Sequence, residues 1–334
     1  MVTVSQTLTW DEAVREYLLH IQAVRAKKTV LFYRVQLSQL VRWCEDEKIG
    51  LSSFGKRHLD RYLVQRQQDG RAPGTLQHDA VAAKAFFRWC ARNDILDRSP
   101  LAEYQVVNAP EPERYMPTDD EIMALLTAVR DFFDAGKNPK AKYLTPALRA
   151  FLRDRNLAIL FGLLDTACRI GEVCSLTLDD VREKERQVTF RHTKGREPRT
   201  VPVSQEWLDV LGDWKKQRAK VMANVPTDQD EGWLFLSEYG TRMDESGFLR
   251  AVNRYLAFAK LNSKITLHSL RRYSLNSLSK VDILVAQRIA GHKETKTTLA
   301  YTKLDPGHLR AVHEHTGVVR GLVTSKRPPR KKLI

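Results

Sequence analysis

A chain of 334 residues is too long for one average domain and long enough to give two of them substantial cores. Hydrophobic residues at 43% and charged ones at 28% are globular proportions, which excludes disorder of the whole chain. Lys and Arg number 55 against 40 Asp and Glu, and the resulting charge of +15 suits a polyanion, either nucleic acid or an anionic membrane face.

No apolar run approaches the roughly 18 residues that a spanning helix needs. The longest, Leu157 to Leu164, stops at Asp165, and the N-terminus lacks the charged and apolar regions of a signal peptide. No membrane partner is therefore expected; nucleic acid is the leading partner, and the expected location is the cytoplasm. Cys44, Cys90, Cys168 and Cys174 form no C-x-x-C pair, and no histidine lies at ligand spacing from them, so no metal site is expected. Cys44 and Cys90 each follow a Trp within an amphipathic pattern, the place of a small buried hydrophobe.

Residues 1–104 read as helices throughout. The first, Thr9 to Ala26, carries Trp10, Val14, Tyr17, Leu18 and Ile21 at helical spacing. The second presents Tyr33, Leu37, Leu40, Val41 and Cys44 as one stripe, with Gly50 as its expected stop. A third runs from about His58 to Gln68 and ends at Asp69-Gly70. The fourth is expected to follow Pro73-Gly74 with Thr75 as N-cap, burying Leu76, Val81, Ala85, Phe86 and Trp89, before Ser99-Pro100 closes the unit. Such helices with short loops make a compact bundle. Lys27, Lys28, Lys56, Arg57, Arg71 and Lys84 read as helix starts and loops, where a cation opposes the helix dipole. Two readings stand for each: a phosphate faces it, or it is ordinary solvated surface. Together with Thr75 they are the candidate DNA contacts.

Residues 105–117 lose periodicity, and Pro110 and Pro112 mark a linker. Thr118-Asp119-Asp120-Glu121 has capping-box spacing ahead of Ile122, Leu125, Leu126 and Val129, and opens a second domain over 118–315. It stays helical to about Cys174. Val188-Thr189-Phe190 and Thr200-Val201-Pro202-Val203 then flank the turn-rich Lys194 to Pro198, the pattern of a hairpin whose Pro202 must lie on a sheet edge. After Trp233-Leu234-Phe235-Leu236 helices resume, to about His315. The expected class is mainly α with a small β-sheet, an α+β domain behind a helical one. The tail, 316–334, holds six basic residues, no acidic one and Pro328-Pro329, and is expected to be disordered, either touching DNA backbone or idle.

Five polar residues lie in core-like surroundings, Arg169, His268, Arg271, His292 and Tyr301, and Lys194 stands at the hairpin tip. His268 and Arg271 are three apart and share a helix face. Glu172, three residues after Arg169, is its natural ion-pair mate. Singly each is a weak signal, but in this order and spacing the set resembles the tyrosine recombinase (phage integrase) family. Flanking residues match too: Thr166 before Arg169, Lys194-Gly195 ahead of Arg199-Thr200-Val201-Pro202-Val203, and Gly291-His292 before Tyr301. Ala167 stands where the family commonly has Gly, Gly171 where Ser is frequent, and Arg272 where a second His often occurs.

The resemblance covers nearly the whole chain and is to the simpler Xer-like and Cre-like members, without an arm-binding domain. It implies a helical core-binding, SAM-like domain and a catalytic domain closing around DNA as a C-shaped clamp. It implies a site-specific recombinase needing no cofactor, metal or ATP. Such an enzyme cuts and rejoins strands through a 3′-phosphotyrosine, here to move a mobile element by integration, excision or resolution. Tyr301 would be the nucleophile, Arg169, Arg271 and His292 the donors to the phosphate, His268 the base and Lys194 the acid. Glu172 would either orient Arg169 or brace the fold. The partners implied are double-stranded DNA, on the nucleoid, bearing a recombination site with inverted repeats, and a homotetramer, one dimer per site, that exchanges C-terminal segments at Leu309–Val319. A type IB topoisomerase-like nicking and closing enzyme and a catalytically idle DNA-binding accessory protein of the same fold are the competing expectations.

Overall fold

The structure, a computed structural model, describes residues 8–110, 114–191, 197–223 and 230–291. The chain divides into two compact units, 1–113 and 114–334. Each has its own apolar core.

The first unit contains α1 (Trp10–Val24), α2 (Lys27–Asp46), α3 (Lys56–Gln68) and α4 (Pro73–Arg92). Thr9 caps α1 through a capping box with Glu12, so two donors at the helix start are satisfied reciprocally. Around Trp10 the aromatic rings interlock: Phe54 lies edge-on at 5.6 Å and Phe87 edge-on at 5.7 Å, with Phe54 and Phe87 stacked at 4.8 Å. The indole N–H donates to the Ile49 carbonyl at 2.8 Å, which pins the loop after α2 to the start of α1. Cys44 and Cys90 are fully buried in this core, and desolvation raises both thiols to about 12.

Three local expectations change. Gly50 does not stop α2: the helix ends at Asp46, and Lys48 takes the left-handed conformation at φ 56° while the Ile49 N–H reaches back to the Cys44 carbonyl at 2.8 Å. That six-to-one bond is a Schellman closure, for which a lysine at this position is unusual. Thr75 is not an N-cap: α4 starts at Pro73, with Ala72 as the cap residue, because proline's fixed φ and missing N–H suit the first helical position. Val81 is exposed; the packed face of α4 buries Phe86 as expected, with Phe87, Cys90 and the small Ala80, Ala82 and Ala83.

The second unit holds α5 (Asp119–Phe132), α6 (Pro146–Thr166), α7 (Ile170–Val173), β1 (Val181–Arg182), β2 (Gln187–Phe190), β3 (Arg199–Pro202), α8 (Gln205–Met222), α9 (Glu245–Phe258), α10 (Leu267–Val281) and α11 (Ile283–Ala290). The three strands form an antiparallel sheet in the order β1-β2-β3, with Val188 opposite Val201 and Phe190 opposite Arg199. Pro202 lies on the edge strand, where no ladder donor is needed. The two-residue β1 is too short to leave a pattern in sequence. Among the described residues the chain is thus mainly helical with one small sheet.

Thr118 and Glu121 form the capping box that opens α5. Ahead of it, residues 105–117 do not behave as one free linker: Asn108 and Ala109 bond to Gln77 in the first unit, while Tyr115 packs on the second core and Pro117 is buried. The centre of the second unit is α6. Leu157, Ala158, Ile159 and Leu160 are all buried in succession, which marks a helix covered on every side. Against it lies Trp207 of α8, 1% exposed, whose indole N–H donates to the Ala158 carbonyl at 2.9 Å. A side chain on Gly162 would begin 3.0 Å from that indole nitrogen. Among the described residues no helix is long and apolar enough to cross a membrane.

The close approach of α6 to α8 carries a prediction. Trp207 has no room to retreat, so Gly162→Ala should lower unfolding free energy by about 1–3 kcal/mol through overpacking, seen as a lower denaturant midpoint with an unchanged m-value.

Candidate active site

The site begins where α6 ends. The Thr166 hydroxyl donates back to the Gly162 carbonyl at 2.6 Å, and Ala167 then turns the chain at φ 47°, ψ 26°. A residue with a β-carbon pays roughly 1–2 kcal/mol for this left-handed conformation. The turn swings Arg169 out to the start of α7, where its side chain is 41% exposed. Below it Glu172 is buried at 4% exposure, and its carboxylate gathers donors: the Arg169 backbone N–H at 2.8 Å, Arg169 Nη1 at 3.3 Å, and Arg199 Nη1 and Nη2 at 3.0 and 2.8 Å. Burial alone would raise the Glu172 pKa. The hydrogen bonds from Arg199 and the Arg169 backbone, with both positive charges, hold it below the usual carboxylate value.

Arg271, on α10, is 2% exposed. Its Nη1 donates to the Ala167 carbonyl, and its Nη2 donates to the Ala290 carbonyl at 3.0 Å. Burial, then the nearby Arg169 charge, brings its pKa down to about 10, which still leaves it charged at neutral pH. Residues 102 positions apart in sequence, Arg169 and Arg271, therefore share one electrostatic neighbourhood. His268 lies one helical turn before Arg271 on the same face and reaches solvent. Desolvation, then the charges of Arg272, Arg271, Arg114 and Arg169, lowers its pKa. Arg272, in the position where the family often has a second His, is buried and donates to the Tyr115 carbonyl at 3.1 Å, tying α10 to the start of this unit.

The structure thus brings together Arg169, Glu172, His268 and Arg271. Lys194, His292 and Tyr301 lie outside the described residues, as do the Leu309–Val319 segment and the basic tail. Arg199, quoted from the sequence as a flanking match only, proves to be the principal partner of Glu172. Its signal was its place in Arg-Thr-Val-Pro-Val, but nothing in the sequence pairs it with a carboxylate 27 residues earlier. Among the described residues no cluster of His, Cys, Asp or Glu is arranged to hold a metal ion.

In the first unit, Lys27, Lys28, Lys56, Arg57 and Arg71 are exposed. They stand in the first turns of α2 and α3 and just ahead of α4. Those three helices have no acidic residue in the first turn and no Ser, Thr, Asp or Asn cap, in contrast to α1 and α5. Lys84 is corrected: it is mid-helix in α4, half-buried, with its ammonium on the Tyr104 carbonyl at 2.6 Å, because the segment after α4 folds back over it.

A bundle with exposed basic helix starts, and a second unit that gathers arginines from distant segments around one carboxylate, suit a polyanionic partner. Comparison with known proteins makes this specific. The profile of the "Phage integrase family" matches residues 141–308, half of the chain, and that of the "Phage integrase, N-terminal SAM-like domain" matches 14–94. The chain is 28% identical over 305 residues to "Tyrosine recombinase XerC 2" of Ralstonia nicotianae, covering 87% of this chain and 81% of that one. It is 29% identical over 304 residues to "Tyrosine recombinase XerC" of Mycobacterium tuberculosis, covering 90% and 95%. In fold it is similar to the XerH site-specific recombinase bound to palindromic difH substrate (TM-score 0.69, 15% identity, 94% and 86% covered). It is likewise similar to a lambda integrase dimer bound to a COC′ core site (TM-score 0.67, 15% identity, 90% and 79% covered). The chain belongs to the phage integrase family, the tyrosine recombinases, and is a DNA strand transferase.

The depressed pKa of His268 has a definite sign. The unfolded chain holds that proton more tightly than the folded one, so this group's effect lowers folded-state stability as pH falls through 6.5. An NMR titration of the His268 ring is expected to give a midpoint below 6.5. A midpoint at or above that value would remove the desolvated, arginine-crowded setting.

Proposed function

We propose that this chain is a site-specific recombinase that breaks and rejoins DNA through a covalent 3′-phosphotyrosine. Tyr301 attacks the scissile phosphorus, a bond forms from its phenolic oxygen, and the bond to the 5′ oxygen breaks. The phenol's ordinary pKa of about 10 leaves it weakly nucleophilic at neutral pH, so a base must accept its proton. His268 is that base; its low pKa keeps the ring neutral and able to accept a proton. Lys194 delivers a proton to the departing 5′ oxygen. Arg169, Arg271 and His292 donate to the nonbridging oxygens as negative charge builds on them. An arginine suits this work because its planar fork bonds two oxygens and stays charged. One ester replaces another, so the strand is rejoined by reversal with a different 5′ hydroxyl.

The observation that carries the reading is the convergence of Arg169 and Arg271 beside Glu172, with His268 a turn away. The net charge of +15 and the exposed lysines and arginines at the starts of α2, α3 and α4 support phosphate contacts by the first unit. Their neutralisation of backbone charge makes binding fall steeply with salt. Thr75 and Lys84 stay in the proposed contact set more weakly, since Lys84 already serves the Tyr104 carbonyl. We assign the active species as a tetramer on two duplexes with inverted-repeat sites, exchanging the Leu309–Val319 segments, and its task as the movement of a mobile element. The departures at Ala167, Gly171 and Arg272 support that task over chromosome maintenance.

Nicked duplexes with randomised inverted-repeat arms, offered to the protein and recovered as denaturant-resistant adducts, test the reading and reveal the site together. Wild type is expected to yield adducts, and Tyr301→Phe none while still binding the same duplexes. A wild-type protein that yields no adduct would end the enzymatic reading; sequence-indifferent relaxation of supercoiled DNA by monomer would favour a topoisomerase. The place of the captured sequence, at the ends of a mobile element or at one chromosomal locus, decides the task. On the captured duplex, Arg169→Ala should slow cleavage on the order of 10²- to 10³-fold with affinity changed far less. Lys194→Ala should recover on a 5′-phosphorothiolate, whose sulfur leaves without a proton; lack of recovery would take Lys194 out of the acid role.

A further inference from the structure

Arg199 does more than neutralise Glu172. Its side chain is 12% exposed and is held on four sides. The two terminal nitrogens grip the Glu172 carboxylate, as described, and Nε donates to the Ile289 carbonyl at 3.0 Å. The guanidinium carbon sits 4.8 Å from the centroid of the Phe190 ring, its cross-strand neighbour. Gly291, in the left-handed conformation at φ 66°, lies so close that a β-carbon there would come within 3.0 Å of Arg199 Cδ. One planar cation thus joins three separate parts of the fold: the α7 start, the root of the β2–β3 hairpin and the last turn of α11.

Each of those parts leads directly to a residue of the proposed chemistry. Glu172 holds Arg169; the segment joining β2 to β3 contains Lys194; the chain leaves α11 through Gly291 into His292. We propose that Arg199 is a positioning residue that, through Glu172, fixes Arg169 against the root of the β2–β3 hairpin and the end of α11, without itself touching the phosphate. The role rests on the reading of Arg169 as catalytic. Only arginine can fill it, because three N–H groups in one plane must point at a carboxylate and a carbonyl while the face rests on a ring. Lysine brings the charge but radiates its donors from a single atom.

Arg199→Lys tests this in the full chain, with the duplex captured by wild type. Single-turnover cleavage at saturating DNA is expected to slow about a hundredfold, the scale of a displacement near 1 Å at a reacting centre. Half-saturating DNA concentration and thermal midpoint should stay close to wild type, a split that simple loss of folded protein would not produce. Should this variant melt too low to assay, Phe190→Leu, which keeps the guanidinium and removes the ring beneath it, is expected to slow cleavage in the same way but less. Undiminished cleavage, or a loss confined to affinity or melting, overturns the role for Arg199. If wild type itself forms no adduct, the catalytic reading falls and this role with it; if wild type does and Arg199→Lys equals it, this role alone is lost.

Discussion

Like charges must be crowded together here without driving the fold apart. Arg169, Arg199 and Arg271 converge, and Arg114 and Arg272 add their fields at His268. The cluster keeps a surplus of positive charge, yet unpaired buried cations are among the costliest groups in a protein. Glu172 resolves this with one carboxylate, bound by two guanidinium groups and a backbone N–H. It cancels part of the repulsion and leaves the site positive. Removing one partner of such a buried pair typically costs about 3–5 kcal/mol, because the charge left behind has lost its water as well as its mate.

Unequal burial divides the labour. Arg271 is almost wholly enclosed, and burial with the Arg169 charge lowers its pKa to about 10, so its protonation survives with room to spare at neutral pH. Arg169, by contrast, keeps its side chain 41% exposed. Burial and the same positive field act on His268 in the same sense, and its lowered pKa favours the neutral ring. One shift in one direction therefore leaves Arg271 charged, because it starts from 12.5, and favours the neutral His268, which starts from 6.5.

Much of this was legible in the sequence, and what was not has physical reasons. The capping box at Thr118 and the helical periodicities report on contacts within a few residues, so they could be read directly. The order Arg169, His268, Arg271 was legible only as a family pattern, since nothing local brings residues 102 positions apart together. Gly50 and Thr75 misled because Lys48 accepts a left-handed φ at a small cost and Pro73 starts a helix as well as a capping hydroxyl does. Lys84 misled because its carbonyl partner lies 20 residues away. Arg199 was visible as a letter in a motif, but its work depends on Glu172, Phe190 and Ile289, which meet only after the sheet packs beside α7 and α11.

Two of the three arginines also complete the secondary structure. The last carbonyls of any α-helix lack intrahelical donors and carry the negative end of the helix dipole. At the end of α6 the Ala167 carbonyl takes Arg271; at the end of α11 the Ile289 and Ala290 carbonyls take Arg199 and Arg271. The guanidinium groups are thereby aimed by helix termini that need them for their own closure, and the termini are placed by burial of α6 in the core. Charge orientation at the site follows from closing the fold itself. The same coupling explains why Ala167 tolerates a left-handed conformation that glycine would adopt more easily: its carbonyl must point at Arg271, and the bond from a buried cation outweighs a torsional cost of roughly 1–2 kcal/mol.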